Sequence, residues 1–108
     1  GEVTREKVAG VRKATTIVEE ETRRLKAFQS FAVLLEGKAT GIKKGKRVYG
    51  DMIALRSVAS KTAISAKAVP VPFAVLQKVA RRVTEEIPSV ARCLYDVTDK
   101  PPSTIEFE

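Results

Sequence analysis

The sequence predicts a single α+β domain, in which two helices lie on one face of a small, mostly antiparallel sheet and the C-terminus forms an extended arm. Apolar residues recur at helical spacing in two segments, and β-forming residues cluster between and after them. The 108 residues suffice for one domain, residues 1–108, with one modest core. The order helix, strand, strand, helix, strand, with room for one more strand before the second helix, places both helices on one face.

The first helix is predicted over residues 1–25, with Thr4 as its N-cap. Residues at spacings of three and four form its predicted buried stripe: Val8, Val11, Thr15, Val18, Thr22 and Leu25. Glu20 and Arg24 stand four residues apart in the favourable order, a pair worth about 0.2–0.5 kcal/mol. The pattern indicates a helix that packs on the core, and no catalytic or ligand-binding residue is predicted on it.

The first strand is predicted over Ala27–Leu35. Alternation places four residues on one side of it: Gln29, Phe31, Val33 and Leu35. The following stretch, Glu36–Lys46, is rich in glycine and lysine and is interpreted as a solvated loop or hairpin tip. Arg47–Val58 has a nearly continuous apolar centre, which is typical of an inner strand covered on both faces. Lys61–Ala66 is interpreted as another strand or an extended connection.

The second helix is predicted over Pro70–Ile87 and ends before Pro88, because the residue before a proline avoids the helical conformation. Its predicted buried stripe comprises Phe73, Leu76, Val79, Val83 and Ile87. Its basic patch comprises Lys78, Arg81 and Arg82, with Glu85 and Glu86 as i,i+4 partners. A final strand is predicted over Arg92–Thr98, with Cys93, Tyr95 and Val97 on one side.

Composition excludes several kinds of chemistry. The chain has no histidine, which rules out catalysis by a Ser-His-Asp or Cys-His arrangement within it, and no metal site or catalytic residue is predicted. Cys93 is the single cysteine, so no internal disulfide can form, and it is interpreted as a small buried hydrophobe. No segment is apolar enough for a membrane span and no signal peptide is recognised, so a cytoplasmic protein is expected. The net charge of +7 favours anionic partners.

The C-terminal arm is the most unusual stretch. Pro101 and Pro102 each fix φ near −65°, which predicts a stiff, extended segment. Lys100 would then be a cation held at a fixed place, suited to a phosphate. A proline stop followed by a solvated tail is the competing interpretation.

The segment Arg92–Glu108 resembles the terminal signature of GMP synthase, R-V-x-Y-D-[IV]-T-x-K-P-P-x-T-I-E-W-E. Cys93 and Leu94 replace two valines, and Phe107 replaces the usual tryptophan, so it lacks the indole N–H donor. Residues 29–33 resemble the family's Q-A-F-x-V segment, and residues 54–56 match its A-L-R. The resemblance is to the C-terminal dimerisation domain of the synthetase part.

The resemblance implies a role in making GMP from XMP, ATP and ammonia, with AMP and pyrophosphate released. The family's ATP-pyrophosphatase loop S-G-G-V-D-S and its glutaminase triad are absent from this chain, so we expect the chain alone to catalyse nothing. ATP and Mg²⁺ are expected for the full enzyme and not for this domain. The implied partners are a second copy of the chain, the ATP-pyrophosphatase domain, and a glutamine amidotransferase domain or subunit.

The resemblance also implies which residues bind XMP. Lys100 would contact the phosphate, Ile105 and Glu106 the purine, and Gln29 would assist, with Thr104 bracing the arm. Two rival interpretations remain. One is a small basic RNA-binding domain, disfavoured because aromatic residues are only 6% and no stacking motif is found. The other is a homodimerisation module without a ligand.

Overall fold

The computed structural model describes residues 4–25, 29–59 and 69–99, which form two helices and one three-stranded sheet. In chain order the elements are α1 (Arg5–Thr22), β1 (Gln29–Lys43), β2 (Lys46–Val58), α2 (Phe73–Glu86) and β3 (Val90–Tyr95). The predicted α+β class is confirmed. The predictions for residues 61–66 and for the C-terminal arm lie outside the described residues.

The sheet has the strand order β1-β2-β3, so β2 is the inner strand, as predicted. β1 and β2 form a long antiparallel hairpin whose pairing runs from Gln29 opposite Val58 to Lys43 opposite Lys46. β3 lies parallel to β2, and α2 lies between the two strands in the chain. The sheet is therefore mixed, and its longer pairing is antiparallel.

The glycine- and lysine-rich stretch is mostly strand, so its interpretation as a solvated loop is wrong in extent. β1 continues to Lys43, and only Lys44 and Gly45, both with positive φ, form the turn. An irregularity after Leu34 contains Gly37, whose φ of 85° is readily adopted by glycine. The pairing resumes at Lys38, and an exposed hairpin does not need the apolar alternation by which strands are found in a sequence.

The far end of the hairpin is fastened to the end of α2. Lys43 Nζ donates hydrogen bonds to the carbonyl oxygens of Thr84 at 2.8 Å and Pro88 at 3.0 Å. These carbonyls belong to the last turn of the helix and the residues after it, where no intrahelical donor is available. The lysine thus replaces the missing donors and joins the hairpin to α2.

The N-terminus of α1 is capped as predicted, because Thr4 Oγ1 accepts a hydrogen bond from the Lys7 N–H at 3.1 Å. The predicted buried stripe is only partly correct. Val18 and Thr22 are buried, but Val8 is 37% exposed, and the buried face also includes Ala14 and Ile17. The spacing pattern extends in both directions beyond the part of the helix that contacts the core, and the helix ends at Thr22 rather than residue 25.

α2 begins at Phe73 rather than at Pro70, with Pro72 at the N-cap position. Its predicted stop before Pro88 is confirmed, since the helix ends at Glu86. Val79, Val83 and Ile87 are buried as predicted, whereas Phe73 is 72% exposed. Phe73 is the first residue of the helix and precedes the turns that pack on the sheet.

The core lies between the two helices and one face of the sheet, as predicted. Its buried members are Ala14, Ile17, Val18, Ala32, Ile53, Leu55, Val79, Val83, Ile87 and Val90. Ala32 is the cross-strand partner of Leu55, so these two residues mark the face that the helices cover. Gln29, Phe31 and Val33 alternate with Ala32 and therefore lie on the opposite face.

Arg82 joins the two helices electrostatically. Its guanidinium donates to Glu20 at 2.9 Å, Glu21 at 3.0 Å and Glu86 at 2.7 Å. The predicted i,i+4 pair with Glu86 is confirmed, while Glu20, predicted to pair within α1, binds across to α2. The Arg82 hydrogen bond lowers the pKa of Glu86, and although burial alone would raise the pKa of Glu21, hydrogen bonds from Arg82 and Lys78 lower it overall.

The backbone at Ser89 lies so close to Gly50 that there is no room for a side chain at this position. A Cβ at this position would lie 2.5 Å from the Ser89 carbonyl oxygen, so Gly50→Ala must displace backbone between β2 and β3. We expect a loss of about 1–3 kcal/mol in the free energy of unfolding, measured by denaturant titration. The control is Gly10→Ala, whose Cβ meets only Ile87 at an ordinary 3.5 Å within α1 and should stabilise by about 0.5–1 kcal/mol. Equal stability of the two variants would contradict this account.

The Arg82 cluster generates a second prediction. The pKa values of Glu21 and Glu86 are below their usual 4.5 in the folded state. The ion pairs with Arg82 therefore stabilise the folded state fully above pH 4.5, and this stabilisation is lost as the pH falls through the lowered pKa values. Arg82→Gln should therefore lower Tm at neutral pH, and its deficit relative to wild type should shrink below about pH 4.5. The control Arg81→Gln should show no such convergence. A deficit that is unchanged in acid would contradict the assignment.

Candidate functional site

Of the predicted XMP-binding residues, the structure describes Gln29, the first residue of β1. The other four, Lys100, Thr104, Ile105 and Glu106, lie outside the described residues. Gln29 is exposed and is paired with Val58, the last residue of β2. It shares the helix-free face of the sheet with Arg56, because Arg56 is the cross-strand partner of Phe31 and alternation returns Gln29 to the same side.

Arg56 is the one charged residue among the largest fully buried side chains of the described chain, at 1% exposure. Its Nε lies 3.7 Å from Asp96 Oδ2, and its terminal nitrogen donates to the Thr98 carbonyl oxygen at 3.3 Å. A guanidinium withdrawn from water is tolerated only when it is paired and hydrogen-bonded. Arg56 therefore binds the chain just after β3 to the inner strand.

The segment after β3 continues along β2 before it turns. The Asp96 N–H donates to the Leu55 carbonyl at 2.9 Å, and the Thr98 N–H donates to Asp96 Oδ1 at 2.9 Å. The second bond closes an Asx turn. β3 thus ends at Tyr95 rather than at Thr98, and Val97 is 73% exposed instead of sharing the core-facing side of Cys93 and Tyr95.

A row of buried hydroxyl groups braces the same end of the sheet on its helix-covered face. Ser30 and Ser57 are cross-strand partners, and their Oγ atoms lie 2.7 Å apart. Thr22, at the end of α1, donates to the Val18 carbonyl and lies 3.4 Å from Ser30 Oγ. No buried side-chain nitrogen or oxygen within the described ranges lacks a hydrogen-bond partner.

The segment that precedes α2 also reaches this end. The Val69 N–H donates to the Ser57 carbonyl at 3.0 Å, and the Tyr95 hydroxyl donates to the Val69 carbonyl. Burial raises the pKa of Tyr95, so the phenol stays protonated and can act as this donor. The last residues of β2 are therefore contacted by three separate parts of the chain, at Gln29, Val69 and Thr98.

Cys93 shows no sign of reactivity. It packs against the core beside Ile53 and is half-buried, which partly confirms its interpretation as a small hydrophobe. Burial raises its pKa to about 11, so the thiol is protonated at neutral pH. Among residues 4–25, 29–59 and 69–99, no cluster of three His, Cys, Asp or Glu side chains could hold a metal ion.

The buried pairing of Arg56 was not predicted from the sequence, because the A-L-R motif that contains this residue does not indicate what the arginine does. The available signal was a charged residue inside the apolar run of an inner strand, a position where arginine is rarely buried without a partner. The partner could not be found from sequence, because Asp96 is 40 residues further along the chain.

Comparison with known proteins identifies the family. Residues 16–107 match the family model described as the GMP synthase C terminal domain, and the chain belongs to this family. It is 52% identical over 109 residues to a subunit of the glutamine-hydrolyzing GMP synthase of Methanocella arvoryzae. It is 53% identical to the same subunit of Thermococcus kodakarensis and 48% identical to that of Methanocaldococcus jannaschii.

These matches cover the whole chain but only 35–36% of each relative. The chain thus spans about a third of the length of the curated relatives it matches. The resemblance that the terminal signature predicted is confirmed at the level of the family. Neither helix in the described ranges has the length and apolar character required to cross a membrane.

Proposed function

We propose that this chain is the part of a GMP synthase that binds XMP and joins two copies of the synthetase subunit. The whole enzyme converts XMP, ATP and glutamine-derived ammonia to GMP, AMP and pyrophosphate. Identity near 50% to GMP synthase subunits over the whole chain supports this reaction. ATP and Mg²⁺ belong to an ATP-pyrophosphatase domain, and ammonia comes from a glutamine amidotransferase domain or subunit.

The observation that carries the XMP proposal is the convergence of two segments on the end of β2. Gln29 is opposite Val58, and the Thr98 carbonyl is bonded to Arg56, two residues earlier on the same strand. The side chains of Gln29 and Arg56 are both on the helix-free face of the sheet. Lys100 follows Thr98 by two positions in the sequence, and we propose that Lys100 and Gln29 contact the same ligand.

The proposed contribution of these residues is binding and orientation. Lys100 supplies a charge-assisted hydrogen bond to the nucleotide phosphate, and Gln29, Ile105 and Glu106 contact the purine, with Thr104 bracing the arm. Holding the purine at a fixed angle presents its C2 oxygen to ATP, which is a proximity effect rather than acid–base chemistry. The chain's charge of +7 favours an anionic ligand of this kind.

The proposed homodimer is supported by apolar residues that the described chain leaves exposed. Leu94 is 44% exposed on the helix-free face of the sheet, beside Ala54. Ile42 and Tyr49 are 77% and 70% exposed on the hairpin. A second copy that covered these residues would remove apolar surface from water.

The RNA-binding alternative is favoured by one observation. Lys38, Lys44, Lys46 and Arg47, around the hairpin turn, are all exposed. Against it, Tyr49 and Phe73, the exposed aromatic residues of the described ranges, lie on different elements, and a stacking platform requires neighbouring rings. We therefore favour the mononucleotide.

A third prediction tests the proposed function. In the full-length subunit assayed with ammonia, Lys100→Gln should raise KM for XMP by about 10–100-fold, the loss expected for one hydrogen bond to a charged group, and leave KM for ATP unchanged. The matched control is Lys46→Gln at the exposed hairpin turn, which should leave both constants unchanged. If Lys100→Gln does not change KM for XMP while Lys46→Gln abolishes salt-sensitive RNA binding, the alternative is correct.

A further inference from the structure

We propose that the first turns of α1 form the surface on which the preceding ATP-pyrophosphatase domain packs in the full-length subunit. This inference rests on the proposed function, since it concerns the domain that would bind ATP. The surface is a groove of about 600 Å³ on the outside of α1. Within the described ranges it is lined by the N-cap and one side of the helix: Thr4, Arg5, Val8, Ala9 and Arg12.

The first turns of α1 contribute little to the core of this domain. The first buried residue of the helix is Ala14. Arg5, Ala9 and Arg12 are all exposed, and their spacing of three and four places them on the side of the helix opposite Ala14. A helix in water is stabilised mainly by the packing of one of its faces. We therefore expect the turns that extend beyond the core to pack on another part of the full-length subunit.

The position of the groove identifies its occupant. The matching family model describes a C terminal domain, and the chain covers 35% of the relative from Methanocella arvoryzae, so most of such a subunit would precede this domain. The polypeptide enters α1 at Thr4, which itself lines the groove. Three residues stand before Thr4 in this sequence, and three residues span at most about 11 Å. A preceding domain would therefore begin beside the groove.

The chemistry of the groove fits a protein surface better than a small ligand. One helix and its N-cap supply all the lining residues within the described ranges, so a small molecule would be contacted from one side only. Small-molecule sites instead enclose most of the ligand. Val8 and Ala9 form an apolar centre between Arg5 and Arg12, and arginine beside apolar residues is typical of protein interfaces. The opposing surface should therefore be apolar, with carboxylates that face the two arginines.

A second copy of the chain fits this groove less well. In a twofold dimer the same patch meets itself, so the arginines of the two copies would face each other. Like charges in contact across an interface are repulsive. The apolar residues that support the proposed homodimer, among them Leu94, lie on the sheet and not on α1.

Thiol labelling in the full-length subunit tests this assignment. Ala9→Cys places a thiol in the groove, and the matched control Thr16→Cys places one on the same side of α1, about two turns later and outside the groove. Both positions are exposed in this domain. Each rate of maleimide labelling is measured by mass spectrometry of the peptide and compared with the rate in denaturant. We expect Ala9→Cys to be labelled about tenfold more slowly than Thr16→Cys, because the preceding domain covers it.

A charge reversal tests whether the arginines hold the two domains together. In the Ala9→Cys background, Arg12→Glu should make labelling severalfold faster, and the control Arg81→Glu, at an exposed position on α2, should not. A carboxylate close to the thiol disfavours the reactive thiolate and by itself slows labelling. A faster rate in Arg12→Glu would therefore report exposure of the groove.

Three results would overturn the docking surface. The first is labelling of Ala9→Cys as fast as that of Thr16→Cys, and the second is labelling that Arg12→Glu does not accelerate. The third is protection that disappears when the subunit is diluted until its dimer dissociates, which would assign the groove to a second copy. Each of these leaves the proposed function standing, because KM for XMP in Lys100→Gln tests that function separately.

Discussion

A positive charge buried in the inner strand is the constraint on which this end of the molecule depends. The Arg56 side chain is almost completely buried, and the folded state tolerates its charge only when it is paired and hydrogen-bonded. The chain after β3 meets this requirement with Asp96 and Thr98. The pairing of the buried Arg56 guanidinium therefore determines where the chain leaves the sheet. On the opposite face of the same strands, the hydroxyl groups of Ser30 and Ser57 are hydrogen-bonded to each other.

The rest of the fold keeps that end in place. The two helices cover one face through a compact apolar core, and Arg82 joins them by three carboxylates. The long hairpin is fastened at its far end by Lys43, and Gly50 allows the backbone after α2 to approach β2 closely. With both ends of the hairpin fixed, the helix-free face carries Gln29 next to the strand position that holds the C-terminal segment.

Much of this could be predicted from the sequence, and the failures have physical reasons. The spacing of apolar residues predicted both helices. The N-cap residue Thr4 located the start of α1 and Pro88 located the end of α2, because these signals are local in the sequence. The predicted hairpin is too short because its composition resembles a loop, although backbone pairing alone makes Lys38–Lys43 a strand. Arg56 was missed because its partners are some 40 residues away, and long-range pairing leaves no local pattern. The prediction that Gln29, Lys100, Thr104, Ile105 and Glu106 bind XMP stays a prediction.

The most direct measurement of the central claim is a crystal structure of the full-length subunit with XMP bound. We expect the Gln29 side-chain amide to lie within about 3.2 Å of a polar atom of the nucleotide, with the Arg56–Asp96 pair intact. A nucleotide bound elsewhere, with Gln29 in solvent and no contact from the segment after Thr98, would contradict it.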